Sequence, residues 1–223
     1  MDTNDDPNIS FDSNGYCNYC SNYFLQIEND KHKKLYNETE LLKIINNIKK
    51  SKNKNKYDCI VGISGGTDSA FLVHKLVEYE LKPLAVHYDN GWNSETATQN
   101  IELLLKKLNV DLYTHVNDWE EFRDIQLSFF KAGVIDIELI TDEAIIALLY
   151  HTSVKFKTKY IFTGHNTSTE FILPEHWYHW KLDALNIKAI HNKFGTKKIK
   201  SLPLLSYWEQ YYHAKFRKTQ IIS

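Results

Sequence analysis

The sequence predicts an α/β protein built on a doubly wound, mostly parallel sheet, preceded by a small N-terminal segment that contains two cysteines. Two observations support this fold class. Beyond about residue 57, short runs rich in β-forming residues alternate with longer runs of helical periodicity, a pattern typical of parallel βαβ units. The chain has 223 residues, of which 43% are hydrophobic, so one large domain can bury a core.

The N-terminal part, to about Phe24, is polar and rich in turn-forming residues, and we expect it to be an appendage. From residue 38 to residue 48 apolar residues recur at helical spacing, and Asn37 with Glu40 can form a capping box, which predicts a helix. The lysine-rich residues 49–56 that follow are either a solvated linker or a patch for an anion.

The remaining elements are predicted from local composition and periodicity. The predicted strands are residues 58–63, 83–88, 111–116 and 160–163. The predicted crossover helices are residues 69–80, 94–108 and 141–155, with residues 119–130 as a further candidate. From residue 176 the chain is rich in aromatic residues and lysine, and its pattern assigns no element.

Composition excludes several classes of protein. The 27 Lys and Arg against 28 Asp and Glu give a net charge of −1, which disfavours nucleic-acid and anionic-membrane partners. No apolar run approaches the roughly 18 residues of a membrane span, and the acidic start is unlike a signal peptide, so we expect a cytoplasmic protein. The spacing of Cys17 and Cys20 suits metal or redox chemistry.

The first predicted strand runs into residues 64–69, Ser-Gly-Gly-Thr-Asp-Ser, and then into an apolar helix. The glycines let the main chain approach a ligand, and the first-turn amides of the helix attract an anion, so we expect a phosphate. Ser64, Thr67 and Ser69 add hydroxyl donors, while Asp68 can cap the helix or help hold magnesium carried by the phosphates. The loop matches neither GxxxxGK[ST] nor GxGxxG, and a turn without a ligand is the alternative.

Two further motifs are expected beside this loop, because ligands of open parallel sheets bind at the carboxyl ends of the strands. The second strand ends in residues 87–92, where backbone and a turn can face an adenine or a ribose. The fourth strand ends in residues 163–170, which are similar to the second nucleotide-side motif of NAD synthetase-like enzymes. This resemblance implies that Gly164 lets backbone approach the nucleotide and that Glu170 can orient magnesium or the substrate. An ordinary loop and a capped helix start explain the same residues and remain open.

These motifs define the candidate site. We expect Asp68, Ser69 and Glu170 to act in catalysis. The residues expected to contact the nucleotide are Gly62, Ser64, Gly65, Gly66, Thr67, Asp68, Ser69, Tyr88, Asp89, Asn90, Thr163, Gly164, His165 and Asn166. The acidic residues 136–143 are better explained as a helix start capped by Thr141 than as a source of a catalytic carboxylate.

Residues 64–69 resemble the pyrophosphate loop, S-G-G-x-D-S, of the ATP pyrophosphatase superfamily, which includes GMP synthetase, NAD synthetase, asparagine synthetase and tRNA-thiolation enzymes. The resemblance implies the Rossmann-like fold of the adenine nucleotide alpha hydrolases. It also implies a reaction with ATP and magnesium. In such enzymes the loop holds the β and γ phosphates while a substrate oxygen attacks the α phosphorus, so AMP is transferred and pyrophosphate leaves.

The whole chain resembles the N-acetyl sugar amidotransferases of this superfamily. The stretches that carry the resemblance are residues 1–3, 11–20, 64–69, 174–177 and 190–195. It implies that the enzyme adenylates the N-acetyl carbonyl of a nucleotide-linked sugar and replaces its oxygen with ammonia, giving an acetamidino group for surface polysaccharide such as LPS O-antigen. It also implies separate glutaminase and ammonia-channel subunits, because nothing in the chain resembles a glutaminase.

The chain departs from that family in three ways. Family members carry an earlier Cys-x-x-Cys before the point that corresponds to Met1, so Cys17 and Cys20 supply half of a four-thiolate zinc site. The family also continues beyond Ser223, and it more often has histidine where this chain has Glu143. We expect a cysteine-containing appendage in residues 1–36, the ATP pyrophosphatase domain in 37–175, and the start of a substrate or partner region in 176–223.

Two other functions remain open. A tRNA-modifying ATP pyrophosphatase would share the loop and the cysteines, and the lysines of residues 49–56 and 193–200 are compatible with RNA, although the net charge disfavours it. A non-catalytic nucleotide-binding fragment of a longer protein would also account for both departures at the ends of the chain.

Overall fold

The structure, a computed structural model, describes residues 2–28, 38–51, 55–165 and 180–223. It divides into two compact units. The N-terminal unit comprises Met1–Ser51 with Asn166–Tyr178, and the sheet unit comprises Lys52–His165 with His179–Ser223. The functional division predicted from the sequence, with boundaries near residues 36 and 175, stays a prediction.

The N-terminal unit contains two helices within its described part, α1 (Asn18–Glu28) and α2 (Glu38–Lys50). A turn over residues 11–17 precedes α1, closed by an antiparallel bridge between Phe11 and Cys17. The sequence predicts α2, including its start. It does not predict α1, whose apolar Phe24 and Leu25 are exposed and form no apolar stripe that periodicity could detect.

The sheet unit is built on five parallel strands in the order β3-β2-β1-β4-β5. The strands are β1 (Cys59–Gly62), β2 (Pro83–Asp89), β3 (Asp111–Val116), β4 (Tyr160–Phe162) and β5 (Gln220–Ile222). The chain moves outward in one direction from β1 to β3, then crosses back to β4 on the other side of β1. This order confirms the predicted doubly wound α/β class, and it places the switch in strand order between β1 and β4.

Helices connect and cover these strands. They are α3 (Thr67–Glu78), α4 (Glu95–Leu108), α5 (Trp119–Ala132), α6 (Leu139–Lys155), α7 (Ala184–Phe194) and α8 (Tyr207–Tyr212), which runs into a π-helical turn (His213–Arg217). On one face of the sheet, alternate strand residues such as Ile60, Val86 and Ile161 pack into a core with Phe122 of α5 and Leu148 of α6. The strands thereby hold the carboxyl-end loops on a rigid base.

Local signals fix several boundaries. Ser94 and Asp118 cap α4 and α5 by accepting hydrogen bonds from the backbone amides of Ala97 and Glu121. Helix α6 differs from the prediction, because it begins at Leu139 and Thr141 lies inside it rather than capping it. No helix within the described ranges is long and apolar enough to cross a membrane.

Candidate functional site

Residues 64–69 leave the carboxyl end of β1 and enter α3, at the switch in strand order. The Ser69 hydroxyl closes this loop, because it donates to the carbonyl of Gly66 at 3.2 Å and accepts from the amide of Ser64 at 3.2 Å. The Ser64 hydroxyl lies 3.2 Å from it and accepts weakly from the amide of Gly66 at 3.4 Å. Ser69 is buried and therefore shapes the loop, whereas Ser64 and Thr67 are exposed and can donate to a ligand.

The N-terminus of α3 lacks a side-chain cap. Its N-cap is Gly66, and no side chain accepts a hydrogen bond there. Side chains cap α4, α5, α7 and α8 of the same unit, whereas α6 also lacks a side-chain cap. The first-turn amides are therefore left for an external acceptor, which is the arrangement that binds a phosphate. Of the two roles considered for Asp68, capping is not observed.

Asp68 is exposed in the first turn of α3, and its carboxylate has no hydrogen bond or ion pair within the described residues. A carboxylate oxygen beside a phosphate-binding loop is the ligand type that magnesium takes in nucleotide sites. The residues present therefore fit a magnesium ion carried by ATP phosphates, with Asp68 as its protein ligand.

The loop requires glycine at position 65. Its φ is +81°, and a Cβ there would lie 2.4 Å from the carbonyl oxygen of Ala97 in the first turn of α4. The side-chain amide of Asn100, also on α4, donates to the Gly65 carbonyl at 3.3 Å. Helix α4 thus holds the loop from outside, a role for Asn100 that no local sequence signal indicates.

Gly164 brings the end of β4 against the loop, and the predicted approach of its backbone to a nucleotide stays a prediction. A Cβ at Gly164 would lie 3.1 Å from the backbone nitrogen of Ser69. The neighbouring Thr163 hydroxyl lies 3.1 Å from Nδ1 of His165 and 2.8 Å from the hydroxyl of Ser223. The two other predicted residues of this motif, Asn166 and Glu170, lie outside the described residues, as do residues 174–177 of the family resemblance.

The loop after β2 is shaped by its own side chains. The Asp89 carboxylate accepts from the amide of Gly91 at 2.9 Å and from the side-chain amide of Asn93 at 2.9 Å. Asn90 accepts from the amide of Trp92 at 3.1 Å. Asp89 and Asn90 therefore form the turn, and their use toward a nucleotide stays a prediction.

Tyr88 and Gly62, also expected to contact the nucleotide, have core neighbours. The Tyr88 ring is buried beside His115 and Phe122, and burial raises the pKa of its hydroxyl. Only the Tyr88 backbone is therefore left for a ligand. A Cβ at Gly62 would lie 3.6 Å from Leu149 of α6, so Gly62 ends β1 against this helix.

His87 is a site residue that the sequence interpretation missed. It is buried, and its Nδ1 lies 3.0 Å from the carbonyl of Ile63, immediately before residues 64–69. A carbonyl only accepts, so Nδ1 carries the proton and Nε2 accepts from the side-chain amide of Asn93 at 3.2 Å. His87 thus ties the loop after β1 to the loop after β2, and its place inside a predicted strand gave no signal for this role.

The acidic residues 136–143 are used in structure. Lys181 forms ion pairs with Asp136 and, at 2.9 Å, with Asp142. Glu143 is fully buried and accepts from the amide of Leu205 at 2.8 Å, and burial raises its pKa from the ordinary 4.5 to about 7. Glu143 therefore faces the C-terminal segment, consistent with the weak sequence case for a catalytic carboxylate here.

The cysteine pair of the N-terminal unit is close but incomplete as a metal site. The sulfur atoms of Cys17 and Cys20 are 3.4 Å apart, and the Cys20 amide donates to the Cys17 sulfur, which lowers the pKa of that thiol. Among the described residues, no three His, Cys, Asp or Glu side chains group so as to hold a metal. Two thiolates do not make a closed tetrahedral zinc site. Cys59 is fully buried in β1, which raises its pKa.

Comparison with known sequences gives one distant relative to report. No family model matches the chain. A protein of Methanocaldococcus jannaschii, described as uncharacterized, is 31% identical over 127 residues, which are 56% of this chain and 44% of that protein. The chain thus spans less than half the length of this relative.

Comparison with solved structures finds enzymes of low sequence identity. An NH3-dependent NAD synthetase from Campylobacter jejuni is 21% identical, covering 57% of this chain and 56% of that chain, with a TM-score of 0.43. An NMN synthetase from Francisella tularensis is 17% identical, covering 80% and 69%, with a TM-score of 0.45. The U34-tRNA thiolase from Methanococcus maripaludis is 18% identical, covering 82% and 66%, with a TM-score of 0.37. The case for a function therefore depends on the residues of the site.

Proposed function

We propose that this chain is an ATP pyrophosphatase-type amidotransferase that converts the N-acetyl group of a nucleotide-linked sugar into an acetamidino group. One structural observation carries the ATP-binding part of the proposal. The Ser-Gly-Gly-Thr-Asp-Ser loop leads into the uncapped N-terminus of α3 at the switch in strand order, where open parallel sheets bind ligands. The choice of an N-acetyl sugar as substrate is supported by the sequence resemblance.

The chain's own groups supply positioning and charge stabilisation. The first-turn amides of α3, with the hydroxyls of Ser64 and Thr67, bind the β and γ phosphates and hold the α phosphorus in place. The approach of Gly164 to α3 keeps side chains away from this backbone. Asp68 would hold in part the magnesium ion that accompanies ATP, and that ion would supply positive charge to neutralise the phosphates.

The reaction then proceeds in two steps. The amide oxygen of the N-acetyl group forms a bond to the α phosphorus, and the bond from that phosphorus to the bridging oxygen breaks, releasing pyrophosphate. Ammonia then bonds to the activated carbon, and the carbon–oxygen bond breaks, so AMP leaves with the original amide oxygen. The added nitrogen sheds a proton, and the product is an acetamidino group. Adenylation is needed because an unactivated amide oxygen is a poor leaving group.

A direct experiment tests this function. The protein is incubated with ATP, magnesium, isotopically labelled ammonia and a panel of nucleotide-linked N-acetyl sugars, and the products are examined by mass spectrometry. We expect exchange of one oxygen for one labelled NH group, with release of AMP and pyrophosphate. Pyrophosphate release with tRNA but with none of the sugars would support the tRNA-modifying alternative instead. ATP binding without pyrophosphate release from any acceptor would support a non-catalytic fragment.

The proposal extends to the setting of the reaction. Ammonia would come from separate glutaminase and ammonia-channel subunits in the cytoplasm, and the product would enter surface polysaccharide synthesis. Adding a glutaminase subunit should let glutamine replace free ammonia as nitrogen donor, which a coupled assay would detect.

A further inference from the structure

An open, lysine-lined pocket lies beyond the carboxyl end of β3, at the same edge of the sheet as the phosphate loop, in a place that the proposed ATP site does not use. It measures about 300 Å³ and is lined by Asp118, Glu121, Lys197, Lys198 and Lys200. The two acidic residues belong to the N-cap and first turn of α5, which directly follows β3. We refer to this open pocket as the lysine pocket.

Buried and partly buried carboxylates fix the backbone that carries these lysines. Glu121 is buried and accepts from the amides of Lys200, Ser201 and Leu202 at 2.9 Å each. The Asp124 carboxylate accepts from the amide of Lys197 at 2.8 Å. A carboxylate is the strongest acceptor for a backbone amide, so this segment presents its lysines from a defined backbone.

A histidine completes this support. Nε2 of the buried His191 donates to the carbonyl of Lys197 at 2.6 Å. A Cβ at Gly195 would lie 2.3 Å from the His191 ring, so glycine is needed for the segment to approach it. The backbone of residues 197–200 is therefore held by side chains of α5 and by His191 of α7.

The lining of the pocket carries three lysines against the two carboxylates of Asp118 and Glu121, a net charge of +1. The Glu121 carboxylate is occupied by backbone amides, and Asp118 accepts from the amide of Glu121 at 2.8 Å. Lys197 reaches Glu120 at 3.3 Å, whereas Lys198 and Lys200 have no ion pair within the described part of the chain. Two cations thus remain available to an anionic ligand.

The position of the pocket suits the nucleotide-linked sugar, which is the second substrate of the proposed reaction beside ATP. In the strand order, β3 is two strands from β1, so the two strands are about 10 Å apart across the sheet, and the pocket and residues 64–69 both lie beyond the carboxyl ends of these strands. Trp92 follows the intervening strand β2, is 65% exposed, and packs edge-to-face with Trp119 at 5.4 Å between ring centroids. An exposed tryptophan can cover a sugar or base ring.

We propose that the lysine pocket binds the diphosphate of the nucleotide-linked sugar, with Lys198 and Lys200 as its main contacts. This inference rests on the proposed function, because it assigns a site to the acceptor of that reaction. Binding the diphosphate at β3 directs the acceptor toward the loop at β1, where its N-acetyl group meets ATP.

Inorganic pyrophosphate tests the pocket without requiring the correct sugar. We expect calorimetric titration of the wild-type protein to show two sites, one at the phosphate loop and one at the lysine pocket. Lys198→Ala/Lys200→Ala should weaken the pocket site tenfold or more, about 1.4 kcal/mol, and leave ATP affinity unchanged. Lys188→Ala/Lys193→Ala removes the same charge from α7 outside the pocket and should leave both sites intact.

The phosphate-loop variant separates this inference from the proposed function. Gly66→Val should abolish ATP binding and retain one pyrophosphate site that depends on the lysines. If Gly66→Val binds no pyrophosphate, or if the two lysine pairs behave alike, the pocket assignment is wrong while ATP binding by the wild type still supports the enzyme. If the pocket variant loses affinity for tRNA but not for pyrophosphate, the pocket serves RNA and the assignment is also wrong. Absence of ATP binding with an intact pocket site would instead overturn the proposed function.

Discussion

Replacing Glu143 with glutamine tests how the buried carboxylate affects stability. Glu143 is fully buried on α6, and its Oε1 accepts from the amide of Leu205. Burial is the main cause of its raised pKa, and the carboxylates of Asp183 and Glu209 raise it further. Glutamine keeps an oxygen that can accept from Leu205 and removes the ionisation.

The size and sign of the effect follow from proton linkage. The pKa of Glu143 rises from 4.5 to about 7 on folding, which corresponds to about 3 kcal/mol. The folded state binds this proton more tightly, so its contribution to stability is fully present below pH 4.5. That contribution is lost as the pH rises to about 7 and stays lost above it. Glu143→Gln should therefore gain up to about 3 kcal/mol relative to wild type between pH 4.5 and pH 8.

Denaturant unfolding followed by tryptophan fluorescence at several pH values measures this difference. Glu102→Gln is the matched control, because Glu102 is an exposed glutamate of α4. The control should track the wild type across the pH range. Parallel stability curves for wild type and Glu143→Gln would show that Glu143 does not titrate near neutrality, and the reasoning from burial would fail.

Three further outcomes are expected. Glu121→Gln should lower the free energy of unfolding by roughly 2–4 kcal/mol, since charged hydrogen bonds to residues 200–202 are lost; a change below about 0.5 kcal/mol in denaturant titration would contradict this. Gly164→Ala should weaken ATP binding about tenfold, because its Cβ crowds the backbone of Ser69, and unchanged affinity in a binding titration would refute that contact. Metal analysis should find well under one zinc per chain, because Cys17 and Cys20 supply two thiolates and no other described side chain joins them as a ligand; one tightly held zinc would show that further ligands complete the site.

Much of the sheet unit could be predicted because its signals are local. Strand β3 is observed over the predicted residues, β2 and β4 differ by one residue at one end, and β1 is one residue shorter at each end. The loop of residues 64–69 lies within six consecutive residues, so its place between β1 and α3 could be predicted from local composition, and its binding of a phosphate stays a prediction. Gly164 was also predictable, because the carboxyl ends of parallel strands meet at one edge.

The C-terminal part could not be predicted because distant residues fix it. Glu121 binds amides that lie about 80 residues later in the chain, and Glu143 binds an amide 62 residues later. Glu121 lies in the first turn of α5 and Glu143 in the second turn of α6, and no neighbouring residue distinguishes either from an ordinary helix carboxylate. Strand β5 has three residues, and only its pairing with β4 identifies it. Pairings over such separations leave no pattern in a local stretch of sequence.

Titration of ATP into wild type, Gly66→Val and Asp68→Ala tests the central claim most directly. Position 66 has a φ of −82°, and a Cβ there would lie 3.5 Å from the Ser64 hydroxyl, so the backbone accepts a side chain. The valine should nevertheless cover the first-turn amides of α3, and the alanine should remove the magnesium ligand. We predict saturable ATP binding by the wild type and its loss in both variants with the fold retained. Equal ATP affinity in all three proteins would contradict the assignment of the loop.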